Sequence, residues 1–232
     1  MHTSSLLVLS AGCTSWALVS RLLARAGNYA AGRAAYVLLL PPRKLHHEGV
    51  MPLMPLTRSI LQTVRMVYQA AHHQRLSDVF VLVGNIGYHG VCTAGPGLPH
   101  GIPSAGLHDV AGVVCDSGVG TGDHVSSERS KLLRLLEAIF PAATGVFHFR
   151  HDVPVEFLGD SESQEKCQQD LPEEAISQHA NVCLGGTFDG LHVAHRILLT
   201  ESLLLATQRV LVGLTGDLLL KEKRFRELIA PQ

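Results

Sequence analysis

Apolar runs alternate with amphipathic stretches along the first two thirds of the chain. Four runs rich in Val and Leu predict β-strands: residues 5–10, 34–40, 78–86 and 111–118. Three stretches with apolar side chains at helical spacing predict α-helices: residues 16–26, 56–72 and 126–140. Strands that alternate with helices are typical of parallel βαβ units, so the pattern predicts an α/β region over residues 1–155.

Finer features of the same region support these elements. Ile60, Val64 and Val67 share one face of the second predicted helix. Ser127 is placed to cap the third helix, whose apolar face comes from four leucines: Leu132, Leu133, Leu135 and Leu136. Residues 145–153 predict a last strand, and residues 89–108, which are rich in Gly, Pro and His, predict a loop.

A polar segment, residues 156–180, separates this region from the rest of the chain. Seven acidic residues and a single Lys, Lys166, stand in it among Gln and Ser. Such a composition buries little apolar surface, so we expect a solvated linker.

Hydrophobic periodicity returns in the last part of the chain, residues 181–232. Residues 181–188 predict a strand that enters a Gly-rich turn, and residues 209–216 predict a second strand. An apolar helix over residues 191–207 connects them, and residues 217–230 predict a charged helix. The result is one βαβ unit of the Rossmann-like kind with a helix after it. Because two strands make a poor sheet alone, we expect this domain to be incomplete unless residues 1–155 complete it.

Composition narrows the classes of function. The formal net charge is −1, which gives no basic excess for binding nucleic acid. No apolar run reaches the roughly 20 residues that a membrane span needs. The five cysteines are odd in number and lack zinc-site spacing, which indicates reduced thiols in an intracellular protein.

The amino terminus has two interpretations that the sequence leaves open. No Asp or Glu precedes Glu48, whereas five basic residues do: Arg21, Arg25, Arg33, Arg43 and Lys44. That composition is typical of a mitochondrial transit peptide. The same residues also fit an ordinary strand and helix at the start of a folded domain, so the predicted localisation is the cytoplasm, the mitochondrion or both.

The segment with the clearest chemistry is GGTFDGLHVAH, residues 185–195. Gly185 and Gly186 follow an apolar strand and let backbone amides approach a ligand closely. A helix then begins near Leu191, and its free amides and positive dipole end favour an anion. His192 and His195 are three residues apart, so both rings lie on one face of the first turn. This arrangement predicts a site for nucleotide phosphates, in which Ala194 leaves room for the nucleotide.

The same segment resembles the GTFDxxHxGH signature of the nucleotidyltransferase superfamily. Ala194 replaces the common Gly, and this variant is similar to the eukaryotic-type phosphopantetheine adenylyltransferase domain. The resemblance continues through HRILLTESLLLATQRVLVGLTGDLLLKEK and covers about fifty residues. The order of an amino-terminal region, a polar linker and GGTFD is also similar to that of the animal-type bifunctional coenzyme A synthases.

The resemblance implies coenzyme A biosynthesis, with adenylyl transfer from ATP to 4′-phosphopantetheine as the reaction. His195 and Lys221 would be the catalytic residues, with Lys223 as the alternative to Lys221. The ligands would be held by Gly185, Gly186, Thr187, Phe188, His192, His195 and Lys223. Mg²⁺ would accompany ATP, held by phosphate oxygens and water rather than by a protein metal site. Asp189 would orient neighbouring groups rather than act as a base.

Several expectations limit this assignment. The family's later Ser/Thr-rich phosphate-binding motif has no counterpart here, so we expect a half-built site and little or no transfer by this chain alone. No GxxxxGK[ST] kinase loop is present, and the Gly-rich residues 118–122 are a weak candidate for a ligand loop.

Two alternatives stay open: another nucleotidyltransferase, such as a cytidylyltransferase, and a non-catalytic isoform that serves in targeting or partner binding. The sequence does not predict an oligomeric state.

Overall fold

The structure, a computed structural model, describes most of the predicted elements. It covers residues 2–11, 13, 15–30, 34–40, 55–76, 78–83, 108–116, 125–140, 147–149, 152–158, 174–188 and 190–216. The chain divides into two compact units, an amino-terminal unit, Met1–Ile176, and a carboxyl-terminal unit, Ser177–Gln232.

The amino-terminal unit alternates strands and helices. Its strands are β1 (His2–Ser10), β2 (Ala35–Leu40), β3 (Val79–Val83), β4 (His108–Asp116), β5 (Phe147–His148) and β6 (Val155–Leu158). Its helices are α1 (Trp16–Ala30), α2 (Arg58–His73) and α3 (Val125–Ile139). The predicted α/β fold is confirmed.

These strands form one parallel sheet in the order β3-β2-β1-β4-β5, and β6 also pairs with β4. The order runs outward from β1 to β3 and then resumes on the other side of β1 with β4. That reversal defines a doubly wound sheet of the Rossmann kind. It makes β1 an interior strand with a parallel neighbour on each side.

The composition of the central strands explains their place in the sheet. Leu6, Leu7, Val8 and Leu9 are fully buried although their side chains alternate between the two faces, and every residue of β2 is buried as well. Continuous apolar strands are typical of parallel sheets that are covered on both faces. Ile60, Val64 and Val67 of α2 are buried, as predicted from their spacing.

The edge of the sheet beside β4 is built from two short strands instead of the single predicted strand over residues 145–153. Phe147–His148 pairs with the start of β4, and Val155–Leu158 pairs with its end. The interruption is consistent with Pro154, which cannot donate a backbone hydrogen bond to a ladder. The structure also starts α3 at Val125, so Ser127 lies inside the helix and is not its N-cap.

Contacts hold both ends of the predicted linker region, residues 156–180. Glu156 belongs to β6, and the segment of residues 159–173 lies outside the described residues. Beyond it, Ile176 donates its backbone N–H to the carbonyl of Leu56 at 2.7 Å, and Ala175 forms a bridge with Thr57. The predicted loop at residues 89–107, the Gly-rich residues 118–122 and the predicted helix at residues 217–230 also lie outside the described part.

The carboxyl-terminal unit contains the predicted βαβ arrangement. Strand β7 (His179–Gly186) runs parallel to β8 (Ala206–Leu214), and helix α4 (Val193–Leu205) connects them. On β8, Leu211, Val212 and Leu214 are 47%, 45% and 63% exposed. Their exposure follows from the small size of the sheet, because parallel strands are normally covered on both faces.

Among the described residues, no helix combines the length and the apolar character needed to cross a membrane.

Candidate functional site

The carboxyl ends of β7 and β8 meet at one edge of the two-stranded sheet. Gly185 and Gly186 pair in register with Gly213 and Leu214. Just beyond them, Thr215 donates its backbone N–H to the carbonyl of Gly186 at 2.9 Å. In α/β sheets, ligands bind outside this edge, where the strands turn into helices.

The chain turns sharply between β7 and α4. Gly190 has φ 58°, in the left-handed region that glycine adopts without steric cost. A side chain at Gly190 would meet no atom within 4 Å, so its conformation and not the surrounding space is the reason for glycine there. Phe188 also has a positive φ, 48°, which is rare for a bulky residue.

Helix α4 begins with an open amino terminus. His192 is its N-cap residue, with φ −81° and ψ 175°, but its side chain makes no capping hydrogen bond. The first turn carries no acidic side chain. The free backbone N–H groups and the positive end of the helix dipole therefore remain available to an anion at this position.

Two histidine rings stack at this helix end. The ring centroids of His192 and His195 lie 3.9 Å apart with 27° between the ring planes. The other neighbour of His195 is Phe188, with centroids 4.9 Å apart and 36° between the planes. The spacing of the two histidines predicted that they share a face, and the structure brings them into direct contact.

One ring atom of this cluster lacks a hydrogen bond. His195 Nδ1 is buried and has no partner among the residues that the structure describes. Most buried polar atoms in proteins are paired, so the unpaired Nδ1 is unusual and leaves the His195 ring without a hydrogen bond from this nitrogen to orient it. His192 is exposed and His195 is partly buried, so the pair can be reached from solvent.

The structure thus gathers six predicted site residues within one strand–turn–helix connection: Gly185, Gly186, Thr187, Phe188, His192 and His195. Lys221, Lys223 and Asp189 lie outside the described residues, so their predicted roles stay predictions. The contact between Phe188 and His195 and the left-handed backbone of Phe188 were not predicted from the sequence. Gly190 was the signal available for a tight turn, but nothing in the sequence pointed to the neighbouring phenylalanine.

The strand order of the amino-terminal unit defines a Rossmann-like α/β fold. The carboxyl-terminal unit, with its turn between β7 and α4, has the βαβ start that is typical of nucleotidyltransferases. Part of the chain is similar to phosphopantetheine adenylyltransferases. The protein of that name from Saccharomyces cerevisiae is 45% identical over 60 residues, which are 26% of this chain and 19% of the yeast protein. The one from Pyrococcus furiosus is 41% identical over 54 residues, 23% of this chain and 33% of that protein.

A third similar protein, the phosphopantetheine adenylyltransferase of Pyrococcus horikoshii, is 44% identical over 56 residues, 24% of this chain and 35% of that protein. The chain therefore spans between about a fifth and about a third of the length of these relatives. No protein-family model matches the chain. No solved structure matches it significantly. The similarity supports a phosphopantetheine adenylyltransferase-like nucleotidyltransferase region.

Proposed function

We propose that the carboxyl-terminal unit is the phosphate-binding part of an adenylyltransferase that joins ATP to 4′-phosphopantetheine in coenzyme A biosynthesis. The observation that carries this proposal is the stacked pair His192 and His195 at the open amino terminus of α4. The similarity of part of the chain to phosphopantetheine adenylyltransferases supports the choice of substrates. That similarity also favours these substrates over those of a cytidylyltransferase.

Each described residue of the site has a role in this proposal. The backbone amides at the start of α4 bind phosphate oxygens, because they have no partners within the helix. His192 and His195 donate hydrogen bonds to the ATP phosphates, with His195 nearest to the transferring group. Thr187 lies on the connection between β7 and α4 and lines the junction between the two substrates.

Adenylyl transfer requires that the two substrates are positioned and that the developing charge is stabilised. A phosphate oxygen of 4′-phosphopantetheine attacks the α-phosphorus of ATP and forms a new P–O bond. The bond from the α-phosphorus to the bridging oxygen of the β-phosphate breaks, and pyrophosphate leaves with that electron pair. The attacking phosphate is already anionic near neutral pH, so no strong base is needed. Donors that are held in place before the reaction stabilise the charge that develops on the phosphate oxygens.

Lys221 completes the proposed charge stabilisation, with Lys223 as the alternative for the same role. Mg²⁺ enters as part of the ATP substrate and shields the charge of its phosphates. The described residues contain no cluster of three or more His, Cys, Asp or Glu side chains that could hold a metal ion. In its usual binding mode with nucleotides, Mg²⁺ is held mostly by phosphate oxygens and water.

The wider proposal is that the chain corresponds to part of a bifunctional coenzyme A synthase of the animal type. The amino-terminal region, the polar segment and the GGTFD motif follow one another in the order expected of those proteins. The chain spans only part of the length of its relatives, so the proposal is tested first through the binding of ATP.

Binding of ATP to the whole 232-residue chain tests the proposal without requiring a complete active site. The ring resonances of the histidines are followed by NMR during titrations with ATP and with inorganic tripolyphosphate. We expect the signals of His192 and His195 to move with both ligands, because the phosphates carry the contact. His179, an exposed histidine at the amino end of β7, is the internal control and should not respond.

Substitution separates specific binding from general attraction between charges. His195→Ala should weaken ATP binding by about 10-fold or more, which is the scale of one hydrogen bond to a charged group. His179→Ala should leave the affinity unchanged. If neither His192 nor His195 responds to ATP, or if both substitutions weaken binding equally, the phosphate site is not at this helix end.

A further inference from the structure

Phe188 has an unusual backbone conformation for its residue type. Its φ of 48° lies in the left-handed region, where the Cβ of an L-residue comes too close to its own backbone. Gly190, two residues later, has a similar φ of 58° without that steric cost, because glycine has no Cβ. Strained residues of this kind persist where the surrounding structure holds them, and they cluster at functional sites.

The ring of Phe188 packs against Gly186 at the end of β7. Gly186 lies beneath the ring, and a Cβ added there would come within 3.3 Å of Phe188 Cε2. That distance is tighter than ordinary van der Waals contact. The absence of a side chain at Gly186 therefore lets the phenyl ring approach the strand, on the side where it meets His195.

His195 has ring contacts on which its orientation depends. Catalytic and ligand-binding histidines are usually oriented by a hydrogen bond from the ring nitrogen that does not face the substrate. His195 Nδ1 has no such partner in the described part of the chain. The contacts that the structure gives its ring are aromatic, with Phe188 at 4.9 Å and His192 at 3.9 Å between centroids.

We propose that Phe188 is a positioning residue, whose left-handed backbone places its phenyl ring against His195 and sets the orientation of that imidazole for the phosphate of ATP. The proposal rests on the proposed function and deepens it, since the resemblance had implied for Phe188 only a place among the residues that hold the ligands. In this role the strain at Phe188 is retained because any relaxed backbone would move the ring away from His195.

Three substitutions separate the ring from the backbone. Phe188→Tyr keeps an aromatic ring of nearly the same shape. Phe188→Leu keeps the backbone strain but loses the aromatic ring, and Phe188→Gly loses the ring while it removes the strain. The ligand-free signal of His195 reports whether the two rings are in contact. A positioning role predicts in addition that the affinity for ATP falls when the phenyl ring is lost, which a purely structural role does not.

The first measurement is the NMR signal of the His195 ring in the whole chain without any ligand. In wild type the signal should carry the ring-current shift caused by Phe188. Phe188→Tyr should preserve that shift, whereas Phe188→Leu and Phe188→Gly should move the His195 signal towards that of an exposed histidine. A His195 signal that is unchanged in Phe188→Leu overturns the proposal, whatever the affinity for ATP.

Gly186→Ala provides a second route to the same result, with no change in Phe188 itself. Its added Cβ should push the phenyl ring and shift the His195 signal. Gly213→Ala is the matched control, because a Cβ there would lie 3.7 Å from the carbonyl oxygen of Leu184, an ordinary contact. Equal shifts of the His195 signal in both variants would contradict a specific contact between the phenyl ring and His195.

The second measurement is the affinity for ATP in the same variants. Phe188→Leu should weaken the binding of ATP by about 10-fold, because a displaced His195 ring makes a poorer contact with the phosphates. Phe188→Tyr, which keeps the aromatic ring, should bind ATP as wild type does. Failure of wild type to bind ATP would refute the proposed function, while the ligand-free signals still decide whether the phenyl ring contacts His195. Equal affinity in wild type, Phe188→Leu and Phe188→Tyr would overturn the positioning role for ATP.

Discussion

His195 lies in the first turn of α4, where its ring lies between those of Phe188 and His192. A single turn of backbone, with positive φ at Phe188 and Gly190, creates that environment. The two residues reach the same backbone region in different ways, since glycine adopts it freely and phenylalanine does not. The turn is therefore the local feature on which the whole site depends.

Substitution at Gly190 tests this turn. Gly190→Ala should destabilise the carboxyl-terminal unit by about 1 kcal/mol, because the new side chain meets no atom and only the left-handed backbone opposes it. Gly190→Asn should cost less, since Asn tolerates this region better than most residues. Thermal unfolding measures both, with Gly216→Ala as the control. Gly216 has equally open surroundings but no such positive φ. Equal effects at the two glycines would contradict the conformational argument.

The sequence predicts only part of this candidate site. The spacing of His192 and His195 predicted neighbouring rings, although the structure makes His192 the N-cap, one residue before the helix begins. Their ring contact, and the ring of Phe188 beside them, could not be predicted. They depend on a φ value in a short turn and on the space above Gly186, and both are properties of the folded chain.

At the scale of elements, an ionic cluster joins α1 to β6. Arg25 donates two hydrogen bonds to the carboxylate of Glu156, with Nε 2.6 Å from Oε2 and Nη2 2.8 Å from Oε1. The hydroxyl of Tyr29 donates to the same carboxylate. The bonds from Arg25 and then Tyr29 lower the pKa of Glu156 below its ordinary value of 4.5. The bond to Glu156 is also the main cause that raises the pKa of Tyr29.

This cluster predicts a pH-dependent contribution to stability. A lowered carboxyl pKa stabilises the fold above the ordinary value of 4.5, and the contribution disappears as the pH falls through the lower folded value. Glu156→Gln should therefore lower the melting temperature at pH 7 by about 1–3 °C, a small effect because solvent reaches the pair and screens it. The difference from wild type should vanish at acidic pH. Glu137→Gln, at an exposed position of α3, is the control. A difference that persists unchanged at acidic pH would contradict the ionic origin.

The elements themselves were largely predictable, whereas their pairing was not. Buried runs such as Leu6–Leu9 identify the strands because a parallel strand covered on both faces must be apolar at every position. The division of the sheet edge into β5 and β6 depends on which part of β4 each segment meets. Those pairings join residues far apart in sequence, and periodicity carries no information about them.

At the scale of the whole molecule, two units share one chain, and β1 lies inside the sheet of the first. The sequence predicted parallel βαβ units. The order of the strands in the sheet could not be predicted from it. The interior place of β1 bears on the proposed mitochondrial targeting. Removal of residues 1–35 would delete β1 and α1, so a cleaved leader of that length would leave a sheet without its central strand.

If the amino terminus directs the protein to mitochondria, we expect it to remain attached after import. Residues 1–35 fused to a fluorescent protein should give a mitochondrial signal. The whole chain recovered from mitochondria should have the mass of the uncleaved polypeptide. A diffuse cytosolic signal from the fusion would mean that these residues serve only as folded structure, and loss of β1 on import would contradict retention.

The decisive experiment is adenylyl transfer by a polypeptide whose carboxyl-terminal unit is continued through the unmatched part of the relatives. Pyrophosphate release is followed with ATP and 4′-phosphopantetheine for wild type, His195→Ala and the control His179→Ala. His195→Ala should lower the rate by about 10²-fold or more, the scale for losing one preorganised donor. Its unfolding free energy should change by about 1 kcal/mol, less than the loss in rate corresponds to, because the ring is only partly buried. Normal transfer by His195→Ala would contradict the assignment of this helix end to the ATP phosphates.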